Sequence, residues 1–215
     1  MAQDQSAVEG DPKTSDTSPI VAFDFDGTLT VRDSFLAFLK WRAGPRRYAL
    51  GLWRLAPAAL AYLVHRDRGR IKGAAVREFL RGVPRERLEA DARAFAELFS
   101  RSLLRPDAVA AWKRWRGEHV RLVIVTASPD LTVAPFARGL GADALLGTQL
   151  VFDAQDRVAG GLASPNCRGP EKVTRLKAAF GPDFELKAAY GDTSGDREML
   201  ARAKTAGYRI FKSSP

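Results

Sequence analysis

Two carboxylates stand two residues apart near the start of the chain, in the segment PIVAFDFDGTLT. Asp24 and Asp26 follow the apolar run Ile20–Phe23, and Gly27 and Thr28 come directly after them. The run is short and rich in β-formers, which predicts a buried strand, and side chains two apart on an extended chain point the same way. Two buried acids repel each other and lose hydration. We therefore expect a cation, a proton or a substrate to bind beside them.

Two further strands are predicted to end in residues of a similar kind. The run Arg121–Thr126 ends in a hydroxyl, and the run Lys187–Asp192 ends in an acid that is followed by Asp196 four residues later. If a helix begins there, these two acids share one face of its first turn. Between the two strands, Lys172 leads into an amphipathic stretch. Each strand thus delivers a polar side chain at its carboxyl end.

Four acids, a hydroxyl and a lysine at the ends of hydrophobic strands predict phosphate chemistry. Ligands of open α/β sheets bind outside the carboxyl ends of the strands, and a carboxylate cluster is a hard oxygen site that suits Mg²⁺. Thr126 and Lys172 can hold the oxygens of a phosphate. Phosphate esters hydrolyse extremely slowly without a catalyst. Their hydrolysis needs a nucleophile, neutralisation of the phosphoryl oxygens and a proton for the leaving group.

The four segments DFDGTLT, the strand end at Thr126, Lys172 and GDTSGD, in that order, resemble the four motifs of the haloacid dehalogenase-like phosphatases. The resemblance covers residue 20 to about residue 211. The long insert between the first two motifs is similar to the helical-cap type, subfamily IB, which includes phosphoserine phosphatase. Finer similarity in Cys167–Lys172 and Tyr190–Asp192 points to the phosphatidylglycerophosphatase C-like hydrolases.

The resemblance implies a division of labour that spacing alone leaves open. Asp24 would attack phosphorus and form an aspartyl-phosphate, and Asp26 would protonate the leaving oxygen and then activate water. Thr126 and Lys172 would hold the phosphoryl oxygens, with Gly27 at the phosphate-binding loop. The implied Mg²⁺ ligands are the following: Asp24, the Asp26 carbonyl, Asp192 and Asp196.

Simpler interpretations of these residues exist. Asp24 and Asp26 could form a turn, because Asp and Gly favour turns. Asp192 and Asp196 could merely cap a helix, since Asp is a good N-cap residue. The occurrence of all four motifs in order favours the catalytic interpretation over each of these.

Substrate choice depends on residues outside the four motifs. In phosphoserine phosphatases, an acid shortly after the first motif and an arginine of the cap grip the amino acid. The resemblance places Asp33 in the acidic position, one methylene shorter than the usual Glu, and Arg77 only near the position of the arginine. These departures count against phosphoserine, so a small soluble phosphate of the phosphoserine type is the alternative and not the main substrate.

Length and composition set the architecture. A chain of 215 residues can hold one full core and a modest second domain. We expect an α/β fold, in which a doubly wound, Rossmann-like parallel sheet (residues 19–33 and 120–215) carries an inserted α-helical cap (residues 34–119). Met1–Ser18 is polar and acidic, which predicts a disordered tail and no signal peptide. The single cysteine, Cys167, excludes an internal disulfide and fits the reducing cytoplasm.

The net charge of +9 is concentrated in the predicted cap. Between residues 40 and 72, nine Lys and Arg residues face one acid, Asp67, and the enclosed stretch Tyr48–Val64 carries one charge. Pro57 interrupts this stretch, and it is short of the ~20 apolar residues that a membrane span needs. It predicts an apolar helical hairpin or an interfacial helix; the alternative is that it packs the cap onto the core.

Three functions are compatible with these observations. The first is a Mg²⁺-dependent phosphatase of an anionic lipid phosphate such as phosphatidylglycerophosphate, acting at the inner face of the membrane. The second is the same chemistry on a small soluble phosphate. The third is a basic nucleic-acid-binding protein, since the arginine density would allow phosphate-backbone contacts. This last function leaves the acidic motifs unexplained.

Overall fold

The computed structural model describes residues 18–65 and 67–215. The predicted tail, apart from Ser18, therefore lies outside the described residues. The strands in this part of the chain are β1 (Ile20–Phe23), β2 (Arg121–Pro129), β3 (Ala144–Thr148), β4 (Leu150–Phe152), β5 (Val158–Leu162), β6 (Leu186–Gly191) and β7 (Thr205–Tyr208). The helices are α1 (Ser34–Ala43), α2 (Pro45–Arg54), α3 (Ala56–His65), α4 (Arg68–Leu80), α5 (Arg85–Leu103), α6 (Pro106–Arg116), α7 (Asp130–Leu140), α8 (Pro170–Phe180) and α9 (Arg197–Arg202).

Five parallel strands form one sheet in the order β3-β2-β1-β6-β7. Alternate residues of β1 enter different cores: Val21 and Phe23 join one apolar cluster, and Ile20 and Ala22 join the other. The sheet is therefore covered on both faces, which explains why its central strands are continuous apolar runs. The predicted α/β fold class is confirmed.

The register of the sheet brings the predicted strand ends to one edge. Phe23, the last residue of β1, is level with Ile124 on β2 and with Tyr190 on β6. β2 was predicted to end at Thr126, but it continues to Pro129 through a register shift after Val125. This irregular end of β2 lies beside the residues that follow β1.

The insert between β1 and β2 leaves and rejoins the core at adjacent points. The backbone N–H of Val31 donates to the carbonyl oxygen of Leu103 (2.8 Å), and that of Arg105 donates to Leu29 (2.9 Å). These paired segments are natural linkers for a cap.

Helix α6 lies beyond these linkers and packs on the sheet. The Trp112 ring is 5.0 Å from that of Phe23, and Trp115 Nε1 donates to the Tyr190 hydroxyl (2.9 Å). Where the cap ends stays a prediction, and these contacts favour an end near residue 105 over residue 119.

The apolar stretch Tyr48–Val64 forms helices α2 and α3, with Leu55 between them. Several of its large apolar side chains are in solvent: Trp53 is 76% exposed, Leu60 is 67% exposed, and Leu50 and Leu52 are nearly half exposed. These four residues are called the apolar tip below. None of the described helices is both long and apolar enough to cross a membrane.

Candidate active site

The loop after β1 approaches the loop after β6 very closely. The backbone N–H of Asp24 donates to the carbonyl of Tyr190 (2.9 Å), and the chain then makes an irregular turn over Phe25–Leu29. Gly27 has φ +82°, which glycine adopts without a steric penalty. A Cβ atom at Gly27 would lie 2.3 Å from Asp192 Oδ2. Only glycine therefore permits this approach of the first motif to the fourth.

Lys172 is a buried cation between the predicted nucleophile and one of the predicted metal ligands. Its side chain lies near the start of α8 and is 1% exposed. Its Nζ is 2.5 Å from Asp24 Oδ1 and 2.7 Å from Asp196 Oδ1, and it donates to the Val125 carbonyl oxygen at 2.6 Å. An ammonium group has three hydrogens, so these three acceptors occupy it completely.

The ionisation of the site follows from burial and from this pairing. Burial raises the pKa of Asp24 to about 7, although Lys172 lowers it in part. Burial and then the charge of Asp196 raise the pKa of Asp192. Burial opposes the charge on Lys172, but the carboxylates of Asp24 and Asp196 outweigh it and raise the lysine pKa. Burial would likewise raise the pKa of Asp196, yet Lys172 holds it below its usual range.

Three carboxylates in this site fit a divalent cation. Oxygen atoms of Asp24, Asp192 and Asp196 lie within 4.8 Å of one another. Asp192 Oδ1 is buried and finds no hydrogen-bond partner in the described part of the chain, and a buried acceptor without a partner is costly. Three carboxylates against Lys172 leave an excess of negative charge. Hard oxygen donors with this excess suit Mg²⁺.

The carboxylate of Asp26 lies outside this three-acid cluster. Its Oδ1 accepts from the backbone N–H of Ser34 (2.7 Å), and its Oδ2 accepts from the Ser128 hydroxyl (2.5 Å). Ser34 is the first residue of α1, so the insert helps to hold this side chain. The two acids of the first motif therefore have different environments, as their different predicted roles require.

The other predicted site residues occupy the edge of the sheet. Thr126 on β2 is fully buried, and its Oγ1 accepts from the backbone N–H of Ser128 (3.0 Å). The N–H of Gly27 donates to Thr30 Oγ1 at 3.3 Å. The predicted phosphate contacts of Thr126, Lys172 and Gly27 stay predictions.

Asp33 lies near the site but already has a structural task. It caps α1 by accepting from the backbone N–H of Leu36 (2.8 Å). Burial raises its pKa first, and the charge of Asp26 raises it further. Arg77 lies on α4 against Gly160 of the β4–β5 hairpin and is exposed.

Lys72 is a residue of the insert whose sequence context predicts only that it belongs to the basic segment. Its Nζ donates to the Ala127 carbonyl oxygen and to Asn166 Oδ1 (3.4 Å). Burial lowers its pKa, and the charges of Asp26 and Asp33 oppose that shift. Lys72 thus lies beside the second motif and within electrostatic range of Asp26.

Comparison with known proteins identifies the class of this site. The family model for haloacid dehalogenase-like hydrolases matches residues 21–201. The chain therefore belongs to the haloacid dehalogenase-like hydrolase family, and it is an enzyme of that family. The predicted family is confirmed, and the finer resemblance to phosphatidylglycerophosphatase C-like hydrolases stays a prediction.

Among individual proteins, the chain is similar to Protein CicA of Caulobacter vibrioides (strain NA1000 / CB15N), with 63% identity over 196 residues, 91% of this chain and 88% of that protein. A Bordetella pertussis Tohama I protein of unknown function has a similar structure, with a TM-score of 0.71 and 21% identity over 89% of this chain and 90% of that one. A phospho-aspartyl intermediate analogue of phosphoserine phosphatase follows, with a TM-score of 0.58 and 18% identity over 88% of this chain and 85% of that one. These two structural likenesses establish the fold.

Proposed function

We propose that this protein is a Mg²⁺-dependent phosphomonoester hydrolase in which Asp24 is the nucleophile. The observation that carries the proposal is the buried cluster in which Lys172 bridges Asp24 and Asp196 while Asp192 Oδ1 has no partner among the described residues. Such a cluster needs a further cation, and it presents one carboxylate next to a fixed positive charge. This is the arrangement that phosphoryl transfer requires.

The reaction has two steps that this chain's residues can perform. In the first, an Asp24 oxygen bonds to phosphorus while the bond from phosphorus to the leaving oxygen breaks, and Asp26 gives that oxygen its proton. In the second, Asp26 takes a proton from water, the water oxygen bonds to phosphorus, and the bond to Asp24 breaks. Inorganic phosphate leaves, and both acids return to their initial states.

The positions of the two acids support this division. Asp24 lies against Lys172, which keeps its charge and stabilises the attacking carboxylate. Asp26 contacts Ser128 and the start of α1, outside the Lys172 cluster, so the proposed proton donor is not paired with the lysine. Asp24, Asp192 and Asp196 would hold Mg²⁺, which supplies neutralisation of the phosphoryl oxygens when bound.

Phosphate release from p-nitrophenyl phosphate tests this proposal. We expect activity with Mg²⁺, none in EDTA, and recovery when Mg²⁺ is restored. Asp24→Asn should abolish turnover, because an amide does not attack phosphorus, whereas Asp183→Asn changes an exposed acid and should have no effect. Full activity in EDTA, or near wild-type activity of Asp24→Asn, would refute the proposal.

For the substrate, we favour a phosphate carried by a lipid in an anionic membrane. The apolar tip is exposed on α2 and α3, and basic residues flank it in the sequence, among which Arg46, Arg68 and Arg70 are exposed. An exposed apolar patch rimmed by charge is typical of an interaction surface, and each base near an anionic bilayer contributes about 1 kcal/mol. Trp53 suits the interface between water and lipid.

Vesicle flotation tests the lipid proposal. Wild-type protein should float with vesicles that contain phosphatidylglycerol and not with neutral vesicles. The double variant Trp53→Ser with Leu60→Ser should lose this binding, and the control Leu98→Ser, which changes a side chain of α5 that is 65% exposed, should keep it. If wild type stays in solution with anionic vesicles at low salt, the lipid proposal is refuted.

A small zwitterionic phosphate is the second candidate, and one observation favours it. Asp33 and Lys72 are both within electrostatic range of Asp26, so a carboxylate and an ammonium group flank the predicted acid/base. They could pair with the amino and carboxylate groups of a phosphoserine-like substrate. Turnover of phosphoserine at a rate that does not change when vesicles are added would select this candidate.

A further inference from the structure

A cleft lined by two arginines lies beside the loop of the fourth motif. Its volume is about 530 Å³, and its walls come from the insert on one side and from the core on the other. Tyr62, Asp67 and Arg68 line the insert side, and Asn166, Arg168 and Ser194 line the core side. No part of the four catalytic motifs requires a cleft at this place.

The core wall of the cleft is continuous with the catalytic residues. Ser194 lies in the loop between Asp192 and Asp196, the two acids of the fourth motif. Asn166 Oδ1 accepts from Lys72 Nζ at 3.4 Å, and Lys72 is the insert residue within range of Asp26. The cleft therefore adjoins the fourth motif through Ser194 and the second motif through the contact of Asn166 with Lys72.

The charge in the cleft is positive and is fixed in position. Arg168 donates to the hydroxyls of Thr193 (3.1 Å) and Ser194 (2.9 Å), which are neutral acceptors. A Cβ atom on Gly195 would lie 2.3 Å from Arg168 Nη1, so the guanidinium rests directly on that backbone. Within residues 18–65 and 67–215, no ion pair to a carboxylate is found for Arg168 or for Arg68.

Asp67, the one acid that the described residues contribute to the cleft, has other partners. Asp67 Oδ1 accepts from the backbone N–H groups of Gly69 (2.8 Å) and Arg70 (3.1 Å), and so it caps α4. Two guanidinium groups lie on opposite walls of the cleft, and Asp67 is already hydrogen-bonded. The cleft is therefore suited to an anion. Guanidinium groups bind carboxylate and phosphate in preference to other groups.

We propose that this cleft is a subsite for a second anionic group of the substrate, separated from the scissile phosphate by a short spacer. The substrate class is then a phosphomonoester that also carries a carboxylate, a phosphate or a phosphodiester. This inference rests on the proposed phosphatase function and adds the residues that select the substrate, Arg68 and Arg168.

Matched substrates test the subsite. In solution, 3-(phosphonooxy)propanoate and propyl phosphate differ in one terminal carboxylate. In mixed micelles, phosphatidylglycerophosphate carries an internal phosphodiester and a glycerol spacer that phosphatidic acid lacks. We expect wild type to favour the doubly anionic member of at least one pair roughly tenfold in kcat/KM, since each exposed ion pair contributes at most a factor of about five. The pair that shows the preference tells whether the second anionic group belongs to a soluble substrate or to a lipid.

The variants separate this subsite from the general charge of the protein. Arg68→Gln should lower the wild-type preference about threefold or more through a higher KM for the doubly anionic substrate, and added salt should lower it too. Arg81→Gln, which changes an exposed arginine at the C-terminal end of α4 that does not line the cleft, should keep the preference. Equal kcat/KM within both pairs, or equal effects of the two variants, would overturn the proposal. Activity on p-nitrophenyl phosphate, which has no second anion, reports separately on the phosphatase function.

Discussion

Replacing Lys172 with Met removes the buried cation while it keeps a side chain of similar length. Nζ of Lys172 contacts Asp24, Asp196 and the Val125 carbonyl, and the side chain is 1% exposed. Water therefore has little access to the place of the lost ammonium group. The two carboxylates face each other without a compensating charge, so the apo protein should be strongly destabilised.

The size of the effect follows from the burial of the ion pair. Removing one partner of a buried pair costs about 3–5 kcal/mol. In a chain of this length, 1 kcal/mol shifts Tm by about 2–4 °C, so Lys172→Met should lower Tm by roughly 6–20 °C. Burial already raises the pKa of Asp24 to about 7, and loss of the lysine raises it further. An acid whose pKa is raised by folding destabilises the fold increasingly as the pH rises from its unfolded pKa to its folded pKa. Lys172→Met raises the upper end of this range, so the deficit should shrink as the pH falls from 8 to 5.

Thermal and urea unfolding in EDTA at pH 8 and pH 5 measure this deficit. The matched control is Lys177→Met on the same helix, where the lysine is exposed and the change should stay within about 0.5 kcal/mol. Mg²⁺ should restore part of the lost stability, because a ligand of the native state stabilises it. If Lys172→Met unfolds like Lys177→Met, or if its deficit is the same at both pH values, the buried cluster does not have the charges assigned to it.

Two further predictions concern Asp26 and Cys167. Asp26→Asn should slow phosphorylation of Asp24 by an alkyl phosphate by ~10²–10⁴ and by p-nitrophenyl phosphate far less, as measured in a single turnover, because a good leaving group needs little protonation; equal losses in the single-turnover rate would contradict a role as the acid. Burial raises the pKa of the Cys167 thiol to about 11, so about one thiol in a thousand is ionised at pH 8, and iodoacetamide should label this single cysteine only after unfolding in guanidinium, as seen by mass spectrometry. Labelling of the native protein together with loss of activity would assign the thiol a role that its burial argues against.

The sequence predicted the strand ends well because each is an apolar run that stops at a polar residue. β1 and β6 therefore matched expectation to within a residue or two. β3 was missed, since the short run Ala144–Thr148 has no alternation that distinguishes a strand from a buried helix. The extension of β2 to Pro129 depends on a register shift, which the chain acquires only when it pairs with β3.

The long-range contacts of the site likewise include some that the sequence predicts and others that it does not. Order along parallel strands predicts that Asp24 and Lys172 come to one edge, and they meet at 2.5 Å across 148 positions of the chain. The hydrogen bond from Lys72 to the Ala127 carbonyl oxygen could not be predicted, because it depends on how α4 lies over the core. Ser128, which donates a hydrogen bond to Asp26, could have been predicted as a site residue, because it stands only two residues after Thr126.

The sequence does not decide whether Tyr48–Val64 forms an interfacial surface or packs internally, because the segment is apolar on nearly all sides. Such a segment has no polar face, so periodicity cannot say which side is buried. The structure leaves Trp53 and Leu60 in solvent.

Trapping of the phosphoenzyme tests the central claim most directly. Asp26→Asn should form the aspartyl-phosphate from p-nitrophenyl phosphate, whose leaving group needs no acid, and should hydrolyse it slowly, because the base is missing. Rapid quenching followed by mass spectrometry should then find one phosphate on the peptide that contains Asp24, and hydroxylamine should release it. A phosphate on any other residue, or turnover by Asp26→Asn with no covalent phosphate during a single-turnover time course, would contradict the account.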